Sequence, residues 1–285
     1  MINRRQSLGL MAGVVVAAKA TSAELDAETG TGFANDRWAM LQALMKLRAS
    51  VDDRLTLEWF KGVVYGVVDA ALTPLFSLNA VAFASFEALD DNSFLGRRVE
   101  VVYHGDLDTG ERISEFRNPY NGKLMAVPLS RTPLQPVTIN TDGLQLPAQL
   151  GPLRIEAESD LGPAISNGGR TWIRLDTRSR MFPPNAKQPA MVYNESITYT
   201  GSSADLIAPE KLSVPSQISY YNLMSWRPWM MMDGVAGHSI SIAAGEKIWQ
   251  LAELPADLRQ FVADEHPDLA ADALAVLTAE SPGAG

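Results

Sequence analysis

Residues 97–117 read RRVEVVYHGDLDTGERISEFR, and this stretch predicts the fold. Over 97–104 a period of two, typical of β-strands, separates an apolar face (Val99, Val101 and Tyr103) from a mixed one, and 111–117 is a second short run of β type. Asp108-Thr109-Gly110 lies between the two runs, and its glycine accepts the positive φ that a tight hairpin turn requires. The stretch is therefore expected to form an antiparallel hairpin.

The same pattern of short runs and turns continues on both sides of this hairpin, from Leu55 to about Trp249. Asn121-Gly122 is a second strong turn signal. We expect no long helix between the strands, which favours an antiparallel meander, and closing the meander into a barrel would remove its exposed edges. The predicted strands are 59–68, 74–87, 97–104, 111–117, 123–128, 134–140, 153–159, 171–177, 191–200, 217–226 and 239–249.

Helices are predicted on both sides of the meander. Asn35 and Asp36 suit the start of a helix that ends near Ala49, and two further helices are expected to begin near Pro255 and Pro267. The predicted fold is mainly β, an antiparallel meander closing into a barrel of the calycin or lipocalin type, with an N-terminal helix and C-terminal helices. It occupies residues 35–280 as a single domain.

The first 23 residues, MINRRQSLGLMAGVVVAAKATSA, have the basic, apolar, small order of an export signal. The Arg4-Arg5 pair indicates the twin-arginine route, with the twin-arginine translocase as a partner during export and the periplasm as the destination. Cleavage is predicted after Ala20 or Ala23, and residues 24–34 are predicted to be a linker. An uncleaved membrane anchor is the alternative, but an apolar run of about eleven residues is too short to span a bilayer.

Composition excludes several classes of function. The net charge of −9 disfavours nucleic acids and anionic membranes as partners, and we expect no stable membrane insertion after signal cleavage. The chain has no cysteine, and its three histidines are far apart in the sequence, so no metal site is predicted. The chain has neither a G-x-G-x-x-G motif nor a phosphate-binding loop, so no cofactor is predicted.

Five short motifs follow one another along the chain: EWFKGVVYG (58–66), VEVVYHGDLDTGE (99–111), NPYNGK (118–123), YNESITY (193–199) and SWRPWMMMDGVAGH (225–238). This series resembles a bacterial family of exported proteins known as domain of unknown function 1838. The resemblance implies twin-arginine export and a role in the breakdown of small organic molecules. It supplies no established active site.

Strand 191–200 carries the clearest polar signal. Its period of two places Tyr193, Glu195, Ile197 and Tyr199 on one mainly apolar face. A buried carboxylate is costly unless it is paired or protonated, and a raised pKa would suit Glu195 to general acid–base catalysis. The alternative is a structural ion pair of Glu195 with one of three arginines, Arg170, Arg174 or Arg227.

Strand 97–104 places Glu100, Val102 and His104 on one face. His104 is a candidate general base, oriented by Glu100. The alternative is that this face lies outside the barrel and contacts solvent. In the catalytic reading, Glu195 or His104 takes a proton, and Tyr193 or Tyr220 stabilises the developing negative charge.

Residues 220–232 concentrate large aromatic and methionine side chains that strand alternation cannot bury on one face. Aromatic and methionine walls are typical of sites for flat organic ligands, and the alternative is a core capped by tryptophans. The predicted substrate-binding residues are Trp59, Tyr65, Trp226, Trp229, Met230 and His238.

These observations predict a periplasmic, cofactor-independent enzyme that cleaves a small aromatic or phenolic compound by acid–base chemistry. A lyase is favoured, for example one that releases an aldehyde from a hydroxymethyl-bearing aromatic. Two alternatives remain: a non-catalytic carrier of small hydrophobic molecules, and an envelope interaction protein that docks through the aromatic cluster.

Overall fold

The computed structural model describes residues 36–89, 92–150, 152–185 and 189–279. The predicted export signal and linker lie outside this part of the chain. No helix within it is long and apolar enough to cross a membrane.

Strands dominate the described chain, with helices near both ends of the sequence. The strands are β1 (Thr56–Val68), β2 (Ala71–Leu89), β3 (Ser93–Gly105), β4 (Glu115–Arg117), β5 (Leu124–Ala126), β6 (Ser130–Arg131), β7 (Gln135–Asn140), β8 (Gly143–Gln145), β9 (Gln149–Leu150), β10 (Leu153–Leu161), β11 (Ile165–Asn167), β12 (Arg170–Phe182), β13 (Met191–Ser202), β14 (Ser216–Met224) and β15 (His238–Ile248). The helices are α1 (Arg37–Arg48), α2 (Ser203–Ile207), α3 (Ala256–Glu265) and α4 (Pro267–Thr278), with short 3₁₀ turns at Pro228–Met230 and Leu251–Glu253.

The main sheet follows the order β8-β7-β3-β2-β1-β15-β14-β13-β12-β10-β9, and its pairings are antiparallel. Its two ends approach each other where β8 meets β10, and the amide of Leu144 donates to Ser159 Oγ at 3.0 Å there. The result is a nearly closed antiparallel barrel. The prediction of a mainly β, barrel-like fold with N-terminal and C-terminal helices is confirmed.

The hairpin predicted over 97–117 forms only in part. β3 continues through Gly105, but Gly105 and Arg112 make an isolated bridge, and the next strand begins at Glu115. The side chain of Asp106 explains this, because its Oδ1 accepts from the amides of Asp108 and Thr109 and fixes a compact loop. Local side-chain hydrogen bonds therefore replace part of the expected ladder.

Helix α1 closes one end of the barrel. Asp36 caps its first turn by accepting from the amide of Ala39 at 3.0 Å. Its apolar face, which includes Leu41, Leu44 and Met45, is fully buried against the inner surface of the sheet. Trp38 stacks on Phe94 of β3 with ring centroids 5.7 Å apart. The N-terminal helix is therefore part of the core rather than an appendage.

A buried lysine holds the other end of α1. Lys247 projects from β15 and is only 3% exposed. Its Nζ donates to the carbonyls of Lys46 and Ala49 at 2.5 and 2.8 Å, and to Ser213 Oγ at 2.8 Å. Positive charge at a helix C-terminus is stabilising, although burial lowers the pKa of Lys247 to about 7. This contact fixes the C-terminal end of α1 against the barrel.

Helices α3 and α4 cover part of the outer surface. Leu258, Phe261 and Leu277 pack against the outward side chains of β1–β3, forming a second core separate from the barrel interior. Tyr103 belongs to this outer core, and its hydroxyl donates to Asp257 at 3.0 Å. The central part of β2 is consequently buried on both faces.

The packing of α1 predicts a large effect of Leu44→Ala. Leu44 is fully buried, and its truncation should lower the free energy of unfolding by about 2–5 kcal/mol. Leu274→Ala, at a 41% exposed position on α4, should change it by less than about 0.5 kcal/mol. Urea denaturation measures both. Equal, small losses would show that α1 is not part of the cooperative core.

Candidate functional site

The barrel interior contains a hydrogen-bonded chain of two tyrosines and a carboxylate. Tyr193 and Glu195 come from the inner face of β13, and Tyr220 comes from the inner face of β14. The Tyr193 hydroxyl donates to Glu195 Oε2 at 2.7 Å and lies 3.2 Å from the Tyr220 hydroxyl. All three side chains are partly accessible, so the chain borders open space inside the barrel.

Burial shifts the pKa values of these three hydrogen-bonded side chains. Burial raises the pKa of Glu195, while the hydrogen bond from Tyr193 and the positive charge of Arg98 act in the opposite direction. The pKa values of Tyr193 and Tyr220 are raised well above the ordinary tyrosine value, first by burial and then by the neighbouring Glu195. The carboxyl group is therefore easier to protonate than in water, and the tyrosines stay protonated at neutral pH.

The three arginines that were alternative partners for Glu195 do not pair with it. Arg174 contacts Asp176 at 2.8 Å, and Arg170 donates to Gln217, with both guanidinium groups at exposed positions. Arg227 donates to Ser239 Oγ at 3.3 Å. Glu195 instead has Tyr193 as its hydrogen-bond donor and lies in the field of Arg98 and Arg48.

Arg98 forms the charged centre of the interior. Its Nη2 lies 2.6 Å from Glu100 Oε2 and 3.9 Å from Glu58 Oε2. Burial alone would lower the pKa of Arg98, but the two carboxylates outweigh burial and raise it. Sequence reasoning missed Arg98, although a period of two from Glu100 places it on the same face.

Small residues make room for these charges. In the ladder, Ala82 of β2 lies between Glu58 of β1 and Glu100 of β3, and Ala84 lies beside Arg98. The side chains of Arg98 and Glu100 are 23% and 24% exposed despite their position on the inner face. This exposure indicates a solvent-accessible lumen next to the Glu195 chain.

Arg48, at the end of α1, contributes a second interior guanidinium that sequence reasoning missed. Its guanidinium carbon lies 5.7 Å from the centre of the Phe86 ring and 6.0 Å from that of the Tyr199 ring. Its Nε and Nη1 have no hydrogen-bond partner among the described residues. Its helical position gave no signal that it would enter the barrel.

His104 faces the interior but does not form the predicted pair with Glu100. Its Nδ1 lies 3.3 Å from the carbonyl oxygen of Ser77, and its ring packs 4.5 Å from that of Phe76. Burial, followed by the nearby positive charge of Arg227, lowers the pKa of His104 to about 3. The expected alternative of a solvent-facing histidine is also wrong, because His104 is only 6% exposed.

The second end of the barrel is closed by the mouth cap, which we define as residues 226–232 with the hairpin β4–β5. Trp229 lies in an aromatic cluster, with its ring centroid 5.6 Å from that of Phe76 and 6.3 Å from that of Phe116. Met230 is fully buried, whereas Met231 is 56% exposed. The aromatic and methionine cluster therefore divides between interior and surface.

Asn118 joins the two parts of the mouth cap. It is fully buried, and its Nδ2 donates to the Met230 carbonyl at 2.9 Å. Its Oδ1 accepts from the amide of Tyr120, which also closes the turn expected for the NPYNGK motif. The NPYNGK and SWRPWM motifs are therefore in direct contact.

A cavity of about 640 Å³ opens beside the mouth cap. Its walls combine apolar groups with one guanidinium, and they include Met191, Trp226, Arg227, Pro228 and Met232. The indole Nε1 of Trp226 donates to the Val235 carbonyl at 3.1 Å, and its ring lies 5.5 Å from the Tyr120 ring. This arrangement holds the Trp226 ring in the cavity wall.

Three predicted binding residues lie away from this interior. Trp59 is on the outer face of β1 and packs against the core formed with α3 and α4. The uninterrupted alternation of β1 places Gly66 on the inner side, facing the Tyr120 ring, and Tyr65 on the outer side. His238 begins β15 opposite Val67, outside the interior. Alternation alone did not reveal which face of β1 is internal.

The buried contacts of Asn118 predict that Asn118→Ala destabilises the mouth cap. The variant loses the two hydrogen bonds that the Asn118 side chain makes, one to the Met230 carbonyl and one from the Tyr120 amide. The Met230 carbonyl is then left without this donor, so the free energy of unfolding should fall by about 1–3 kcal/mol. Hydrogen exchange should show faster exchange in residues 226–232. Asn167→Ala, at an exposed position on β11, is the control, and equal effects of both variants would contradict this role for Asn118.

The raised pKa of Glu195 predicts a pH-dependent effect of Glu195→Gln. The folded protein binds this proton more tightly than the unfolded chain, so wild-type stability falls as the pH rises from the unfolded pKa through the raised folded pKa. Glutamine keeps an acceptor for Tyr193 and does not ionise. The melting temperature of the variant relative to wild type should therefore rise between about pH 4 and pH 8.

The exposed outer-face variant Glu246→Gln is the matched control for this measurement and should show no such trend. A difference between Glu195→Gln and wild type that is the same at both pH values would contradict the prediction.

A comparison with known protein families shows to which family the chain belongs. Residues 53–278 match the model of the family described as "Protein of unknown function (DUF1838)". A search of curated proteins finds no match. The match covers more than half of the chain, so the chain belongs to the DUF1838 family, as its five motifs indicated.

Proposed function

We propose that this DUF1838 protein is a cofactor-independent enzyme that cleaves a small aromatic compound by acid–base chemistry inside the barrel. The observation that carries this proposal is the Tyr220–Tyr193–Glu195 chain bordering the lumen. A carboxylate with a raised pKa, supplied with hydroxyl groups, is an arrangement that accepts and returns protons near neutral pH.

The number of hydroxyl hydrogens available sets the direction of the hydrogen bonds from Tyr220 to Tyr193 to Glu195. Tyr193 has one hydroxyl hydrogen, and an ionised Glu195 accepts it. The 3.2 Å contact between the tyrosines then uses the hydrogen of Tyr220. A proton taken up at Tyr220 can therefore pass through Tyr193 to Glu195, so Tyr220 is the group proposed to meet the substrate.

The surrounding side chains support an aromatic substrate. Phe76, Phe116 and Trp229 form an aromatic cluster at the cap end of the barrel, and Trp226 and the methionines line the cavity beside it. Flat apolar walls with a few polar groups are typical of sites for aromatic ligands. His104 packs into this cluster as a neutral ring, so Glu195 rather than His104 is the proposed base.

A lyase reaction is consistent with these groups. For a hydroxymethyl-bearing phenol, the ring carbon that carries the hydroxymethyl group first accepts a proton while the phenol hydroxyl gives one up and becomes a carbonyl. The base then removes the proton of the hydroxymethyl oxygen, the carbon–carbon bond to the ring breaks, and formaldehyde leaves. The electron pair of that bond restores the aromatic ring as a phenolate, which takes a proton back from the hydrogen-bonded chain. The step needs no oxidant, reductant or metal, and its location is proposed to be the periplasm because the N-terminal sequence resembles a twin-arginine signal.

The cavity beside the mouth cap favours one other candidate function. A non-catalytic carrier would use the same apolar walls to hold an aromatic molecule and would not require Glu195 to transfer a proton. The two candidates differ in whether the ligand is released unchanged.

Turnover of an aromatic pool tests the proposal. The protein is incubated with hydroxymethyl-bearing phenols and other aromatic metabolites, and substrate depletion and aldehyde release are followed by mass spectrometry. Glu195→Gln and Tyr193→Phe should each lower turnover by about 10²–10⁴-fold, because each interrupts proton transfer. Tyr221→Phe, at a 42% exposed position on the outer face, should retain full turnover.

Recovery of every bound compound unchanged would support the carrier instead. Full turnover by both Glu195→Gln and Tyr193→Phe would contradict the assigned roles.

A further inference from the structure

Arg227 is a residue of the cavity beside the mouth cap whose charge also acts on the tyrosine pair. It lines the cavity with Trp226 and Pro228, and its guanidinium carbon lies 6.0 Å from the centre of the Phe76 ring. Its positive charge acts on Tyr193, Tyr220 and His104. One residue therefore contacts the cavity and lies in the electrostatic field of the proposed reactive groups.

The positive charge of Arg227 is not matched by a nearby carboxylate. Within the described residues, no aspartate or glutamate oxygen lies within 4.0 Å of its guanidinium group, in contrast to Arg98 with its two carboxylates. Asp233 also lines the cavity but is exposed at its rim. The hydrogen bond to Ser239 Oγ uses Nη1 and leaves other guanidinium donors for a ligand.

A largely buried guanidinium without a counter-ion is costly, and an anionic ligand would remove that cost. The planar donor pattern of arginine matches a carboxylate, which it binds with two parallel hydrogen bonds. The apolar cavity walls beside Arg227 suit a ring rather than a second charged group.

We infer that the ligand of this barrel is an aromatic carboxylate whose carboxylate group binds Arg227, with its ring against Trp226 and the cavity methionines. This inference rests on the proposed function and names its substrate class. Arg227 links this cavity to the proposed proton chain, because its positive charge acts on Tyr220, the proposed entry point of that chain. Neutral aromatics of the same shape are expected to bind more weakly.

Matched pairs of probes test the inference. Binding of 4-hydroxybenzoate and 4-hydroxybenzamide, and of benzoate and benzamide, is measured by isothermal titration calorimetry. Wild-type protein should bind each carboxylate more tightly than its amide. Arg227→Met should weaken carboxylate binding by about tenfold or more and leave amide binding within about twofold, because only the carboxylate loses charge-assisted hydrogen bonds.

Arg178→Met is the matched control, since Arg178 is an exposed arginine on β12 outside the barrel, and it should bind both probes as wild type does. Arg227→Lys keeps the positive charge without the planar pair of donors and should weaken carboxylate binding several-fold. This second variant tests the inference if Arg227→Met does not fold.

Equal binding of the carboxylate and the amide by wild type would overturn the inference and leave the proposed function standing. Equal losses of both probes in Arg227→Met and Arg227→Lys would also overturn it, since that pattern indicates a structural role. If wild type binds no probe of either pair and turns over no compound of the aromatic pool, the proposed function fails and the inference fails with it.

Discussion

The charges inside the barrel must balance one another, and much of the structure depends on that balance. Glu58, Glu100 and Glu195 bring three carboxylates to the inner face, and Arg98 contacts the first two directly. Removing one partner of such a group leaves the others buried without compensation, which costs more than the pair itself contributes. Glu58, Arg98 and Glu100 come together only in the observed register of β1, β2 and β3, so this register is specified by charge as well as by apolar packing.

Closure at both ends keeps these charges in a defined environment. At one end α1 is fixed by Lys247, and at the other the mouth cap is joined by Asn118. The two devices share a physical principle, because each uses a buried side chain that donates hydrogen bonds to backbone carbonyls at one end of the barrel. Helices α3 and α4 do not enter the barrel and stabilise β1–β3 from outside.

The sequence predicted the strands well because period-two alternation and turn glycines are local signals. It did not predict which face of β1 is internal, and Trp59 was therefore assigned to a binding site although it packs in the outer core. Both faces of β1 carry apolar residues, because its outer face is covered by α3 and α4. On such a strand the alternation of apolar and polar residues does not indicate which face is internal. Glu195 and Tyr193 were found from β13 alone because only one face of that strand is mainly apolar.

The partners of the charged residues were beyond local reasoning. The alternative considered for Glu195 was an ion pair with Arg170, Arg174 or Arg227, but its electrostatic partner Arg98 comes from β3, which lies several strands away in the sheet order. Only closure of the barrel brings these strands face to face. The same closure separates Arg98, which is matched by carboxylates, from Arg227, which has none within 4.0 Å among the described residues. The interior therefore has a charge-matched group at Arg98 and an unmatched guanidinium at the cavity beside the mouth cap, and an anionic ligand in that cavity is stabilised by this charge.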